Sequence, residues 1–100
     1  MSKNIVLEIQ YFRGCPNSLR VLEMLRSFVK EYRGDIVYRE RLIETEKSAR
    51  DFNFRGSPTI LINGRDLEDL PAPDKPGLTC RIYSNGLPTK EQILTKIRKS

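Results

Sequence analysis

Phe12-Arg13-Gly14-Cys15-Pro16-Asn17-Ser18 joins two stretches of different periodicity. Before it, Ile5, Leu7, Ile9 and Tyr11 alternate with Val6, Glu8, Gln10 and Phe12, and the run is rich in β-branched and aromatic residues. This pattern predicts a strand over 4–12 that is polar on part of one face. After it, Leu22, Leu25, Val29 and Tyr32 recur at helical spacing, and Leu19, Val21 and Phe28 widen the apolar stripe. Pro16 falls at the first helical position, where its missing N–H and fixed φ are tolerated. Gly34 suits the C-terminal stop, so a helix is predicted over 16–33. Cys15 then stands at or beside the helix N-cap.

Outward from this junction, Asp35 to Ile43 reads as a second strand around a charged centre. Thr45 caps a short helix running to about Phe52, with Ala49 and Phe52 on its inner side. Arg55-Gly56-Ser57 turns the chain into a short apolar strand, Pro58 to Ile62, which Asn63-Gly64 ends. Residues 65–79 hold Pro71, Pro73, Pro76 and Gly77 and read as a long loop, of a kind that is often functional. Cys80 to Tyr83 is read as the last strand, antiparallel to the Pro58 strand, followed by an Asn85-Gly86 turn. Thr89 caps a final helix with Ile93, Leu94 and Ile97 inward. The expected architecture is α/β, in the order β-α-β-α-β-β-α, with a parallel first crossover and a four-stranded mixed sheet flanked by helices. The chain reads as one domain, 1–100.

With 100 residues, 38% of them hydrophobic and 31% charged, such a chain buries roughly two-thirds of its unfolded surface in one core. There is no histidine, which excludes Ser-His-Asp and Cys-His catalysis and imidazole acid/base work. Two cysteines cannot build a four-cysteine zinc site. Neither a resident metal nor another cofactor is expected. The net charge of +5 is crowded at Lys90, Lys96, Arg98 and Lys99. There the cations complement a helix C-terminus, and no aromatics are interleaved for stacking on nucleic acid. No run approaches a membrane span, and Met1 to Val6 lacks the pattern of a signal peptide. The expectation is a cytoplasmic protein with reduced thiols and no membrane or nucleic-acid partner.

A cysteine at a helix N-terminus faces unpaired backbone N–H groups and the positive end of the dipole. Such thiols commonly have pKa values of about 3.5–7.5 instead of about 8.5, and the thiolate is the nucleophile of disulfide exchange. Arg13 adds positive charge if its side chain turns toward the thiol. Together, the β-α-β start, Cys15-Pro16-Asn17-Ser18 and Gly56-Ser57-Pro58-Thr59 resemble the thioredoxin superfamily. The resemblance extends to small monothiol thioredoxin- and glutaredoxin-like proteins with a Phe-x-Gly-Cys-Pro junction, a Gly-Ser-Pro-Thr strand and a late Gly-Leu-x-Cys-Arg-x-Tyr segment, here Phe12–Pro16, Gly56–Thr59 and Gly77–Tyr83. It implies that Pro58 is a cis proline facing Cys15. It also implies that Ser57 offers backbone groups to an extended partner and that Thr59 continues the partner-binding strand.

Ser18 occupies the place of the resolving cysteine of a Cys-x-x-Cys pair, so Cys15 cannot close a local disulfide. Ser18 either donates a hydrogen bond to the thiolate or satisfies backbone in the first turn. Cys80 is a candidate second thiol, but a disulfide needs Cα atoms about 4.4–6.8 Å apart. The antiparallel strand expected at 80–83 would place Cys80 on the order of 13–17 Å away. A structural or loop-anchoring Cys80 is therefore favoured, and Arg81, Asp66, Glu68, Asp69 and Asp74 are read as solvated. Two functions follow. The first is a monothiol thiol–disulfide oxidoreductase working on a disulfide-bearing protein or a low-molecular-weight thiol such as glutathione. The second is a non-catalytic module that binds a soft metal ion, an iron–sulfur cluster or a protein through Cys15 and the 65–79 loop.

Overall fold

The computed structural model describes residues 4–83 and 86–99. Met1–Lys3 and Asn85 of the expected turn lie outside them. Strand β1 (Ile5–Tyr11) leads into helix α1 (Pro16–Glu31), then strand β2 (Ile36–Leu42) and helix α2 (Glu46–Asp51). Strand β3 (Thr59–Ile62), strand β4 (Arg65–Asp66) and helix α3 (Lys90–Lys99) complete the chain. The four strands lie in the order β2-β1-β3-β4. β1 is parallel to β2 and antiparallel to β3, and β3 is antiparallel to β4. The expected element order and mixed sheet are both present.

The two faces of β1 divide the molecule. Ile5, Leu7 and Ile9 join Ile60 and Ile62 of β3 against Val21, Leu22, Leu25 and Phe28 of α1 and Ile93 and Ile97 of α3. Each such side chain taken fully from water contributes roughly 1.5–3 kcal/mol. On the other face, Ile43, Ala49 and Phe54 form a smaller cluster with Phe12, and Glu8 pairs with Arg41 at 3.4 Å and with Arg39 at 3.8 Å. The capping reading is explicit in the atoms. The Ser48 N–H donates to Thr45 Oγ1 at 3.0 Å. Before α3 the Gln92 N–H donates to Thr89 Oγ1 while the Thr89 N–H donates to Gln92 Oε1, at 3.3 and 2.9 Å.

Several local expectations are corrected. Leu19 is exposed rather than part of the stripe. Phe54 takes the buried place expected for Phe52, whose ring instead lies under the Arg41 guanidinium, 4.3 Å from its centroid. Gly34 does not close α1 in the left-handed region: Tyr32 is the C-cap, and a Cβ on Gly34 would lie 2.6 Å from the Tyr32 ring.

The largest correction concerns the fourth strand. It is Arg65–Asp66, not Cys80–Tyr83. Asn63 and Gly64 both have positive φ, 52° and 82°, as the two-residue type I′ hairpin requires. Ile62 therefore pairs with Arg65 and Leu61 with Asp66. The Asn63 side chain fixes the turn to β1 by accepting from the Val6 N–H at 2.9 Å. With the hairpin closed early, residues 67–79 return along the molecule to the end of the sheet where α1 begins. No helix among the described residues is long and apolar enough to cross a membrane.

Candidate functional site

Cys15 is the N-cap of α1, with extended backbone (φ −99°, ψ 110°) and Pro16 following. Gly14 precedes it at φ +116°, a conformation that L side chains avoid, and so lets the chain turn from strand to helix. Cys15 is 6% exposed. Its sulfur is bonded to Cys80, with a Cα–Cα distance of 6.1 Å. The expected wide separation of the two thiols is thus overturned. Cys80 does not begin a strand at the far end of the sheet; it forms an isolated parallel bridge with Ser57, beside the helix start.

Six hydrogen bonds and a cis peptide bond build this corner. The Ser57–Pro58 peptide bond is cis. The Ser57 N–H donates to Thr79 O at 2.7 Å, and Ser57 O accepts from the Arg81 N–H at 2.8 Å. Ser57 Oγ lies 2.6 Å from Ser18 Oγ and accepts from the Phe12 N–H at 3.2 Å, which ties β1, α1 and the proline segment together. Tyr83 Oη donates to Pro58 O at 2.8 Å. Thr59, fully buried, donates from Oγ1 to Gly56 O at 2.5 Å. Gly56 has φ +102°, and a Cβ there would meet Arg81 Cβ at 2.9 Å. Glycine is needed at this position for both its conformation and the close approach of the Cys80 segment.

The structure brings together Cys15, Ser18, Ser57, Pro58, Thr59 and Cys80. Arg13 is not part of the cluster: it is exposed and makes no ion pair among the described residues. The Ser18 hydroxyl meets Ser57. The backbone groups of Ser57, expected to await a partner, are already held by Thr79 and Arg81.

Sequence reading also missed the group that holds Cys80 in place. Asp66 and Arg81 are buried, not solvated, with side chains 1% and 4% exposed. Arg81 donates to both Asp66 oxygens, at 2.5 and 2.8 Å. Asp66 Oδ2 also accepts from the N–H groups of Glu68 and Leu70, at 2.9 and 3.1 Å. Arg81 stacks over the Tyr83 ring, 4.2 Å from its centroid. Burial alone would raise the Asp66 pKa, but the Arg81 hydrogen bonds, the two backbone N–H groups and the Arg81 charge outweigh it and hold the carboxyl below its usual range. Burial pushes the Tyr83 phenol upward, which keeps it protonated as the donor to Pro58.

Because the folded-state pKa of Asp66 is depressed, its contribution is complete above the unfolded value, about 3.9. It is lost as the pH falls from there through the folded value. Acidification below pH 5 is expected to cost the wild type more stability than it costs Asp66→Asn, so that the gap between them narrows. Urea midpoints followed from about pH 6 to pH 2 check this. A gap that stays constant would contradict it.

The chain matches no family model and no curated protein sequence. Among solved structures it is similar to the solution structure of the first thioredoxin domain of mouse protein disulfide-isomerase A4, at a TM-score of 0.53 and 21% identity. The match covers 97% of this chain and 63% of that one, so this chain spans less than two-thirds of the solved chain's length. With the sheet order and flanking helices described above, it gives the chain a thioredoxin-like fold.

Proposed function

We propose that the protein is a thiol–disulfide redox protein whose working pair is Cys15 and Cys80. One observation carries the reading: the disulfide joins the N-cap of α1 to a segment bridged to Ser57, beside cis Pro58. The monothiol reading gives way here to a two-thiol one. Opening the bond takes two electrons and leaves two thiols. Of these, Cys15 stands at the N-cap of α1, where the helix dipole favours the thiolate. Its companion is 65 residues away in sequence and takes the role that the local sequence denies to Ser18. If the protein resides in the cytoplasm, a disulfide there is characteristically transient and catalytic, which agrees with exchange rather than permanent bracing.

Reduction of insulin by dithiothreitol, followed as turbidity, tests the proposal. The wild type is expected to accelerate the reaction, and Cys15→Ser and Cys80→Ser are each expected to return it to the background rate. Full activity in Cys80→Ser would restore the single-thiol mechanism. If the wild type is inert and its disulfide resists excess glutathione, the bond is a structural staple and the proposal fails.

A further inference from the structure

We infer that a low-molecular-weight thiol reduces the oxidised protein by attacking Cys80 Sγ, with Cys15 Sγ as the leaving group. This assignment rests on the redox reading of the pair.

The two halves of the disulfide are unequally placed. Cys15 is 6% exposed, whereas Cys80 is exposed and Ile82, two residues on, is 92% exposed. A thiolate displaces one sulfur from another along the S–S line, arriving opposite the leaving sulfur. With Cys15 buried and Cys80 exposed, Cys80 offers an attacking thiol the more open approach.

Departure is favoured in the same direction. The electron pair of the broken bond stays on Cys15 Sγ at the start of α1, where the helix dipole stabilises negative charge. A thiol of lower pKa also leaves faster.

The size of the attacking group follows from Ser57. Its N–H and C=O are both paired with Thr79 and Arg81, so an extended protein segment finds no free pair of backbone groups there. A small thiol needs only the exposed sulfur.

The balance is complete in two steps. RS⁻ attacks Cys80 Sγ, forming Cys80–S–S–R and releasing Cys15–S⁻. A second RS⁻ attacks the R sulfur, forming RSSR and releasing Cys80–S⁻, which takes a proton from water. Two small thiols are oxidised to one disulfide and the protein disulfide is reduced to two thiols. Cys80 thus carries the mixed disulfide, the role that sequence reading gives to Cys15.

Glutathione is the probe. Oxidised wild-type protein is mixed with it, quenched in acid at successive times and mapped by peptide mass spectrometry. The glutathione adduct is expected on the peptide containing Cys80. An adduct on Cys15 overturns the assignment and leaves the redox pair standing. A disulfide that no glutathione concentration opens overturns both.

A reduced single-cysteine protein, supplied at the same thiolate concentration as glutathione, is expected to open the wild-type disulfide more slowly. Equal rates would overturn the small-thiol assignment.

Discussion

Cys80→Ser is expected to lower the unfolding free energy by about 4 kcal/mol, and reduction of the wild type is expected to do the same. The figure comes from chain entropy. The cross-link closes a loop of 65 residues, and denying the unfolded chain that freedom is worth about 4 kcal/mol at room temperature in the loop-closure model. Urea unfolding with and without reductant checks it. The wild-type midpoint should fall on reduction to that of Cys80→Ser, and the midpoint of the variant should ignore the reductant. A wild-type midpoint unmoved by full reduction would mean that the bond adds nothing to the fold. The core described above does not include Cys80, so the reduced protein is expected to remain folded, as a protein that cycles between the two states requires.

Asp66→Ala is the second large effect, at about 3–5 kcal/mol. The side chain is 1% exposed and answers a guanidinium that is 4% exposed. Its loss leaves the buried guanidinium with only the partly exposed Glu68, 3.5 Å away, as a counter-ion and also removes the acceptor of the Glu68 and Leu70 N–H groups. Removing both charges together, as Asp66→Leu with Arg81→Met, strands neither one and is expected to cost less than Asp66→Ala alone. Thermal or urea denaturation of the three variants measures this. A double variant that is the least stable of the set would contradict the reading. Arg81 donates its backbone N–H to Ser57 O, so the destabilisation centres on the segment that presents Cys80.

Sequence alone makes legible what is set by near neighbours. Apolar spacing from Leu22 to Phe28 gives α1, Thr45 and Thr89 mark their helix starts by capping chemistry, and Pro16 places Cys15 at the N-cap. Contacts between distant residues were not legible. Asn63-Gly64 reads from its neighbours as a strand end, although it is also the strongest two-residue hairpin signal. Missing it moved the fourth strand by fifteen residues, from Arg65 to Cys80, and misplaced the second thiol. Asp66 and Arg81 look like ordinary surface charges because nothing local shows that each is the other's partner. Gly56 looks like a generic turn residue because Arg81, which presses on it, lies twenty-five positions away.

Cys80 is tethered on both sides. Thr79 and Arg81 are each hydrogen-bonded to Ser57, while further back the chain from Glu68 to Leu78 runs largely exposed and without regular structure. Severing the sulfur bridge therefore leaves the residue beside the start of α1 instead of letting it drift free. From the Cys80 mixed disulfide, re-closure by attack of the Cys15 thiolate, with RS⁻ expelled, is then a first-order event within a single molecule, with a rate indifferent to how dilute the protein is.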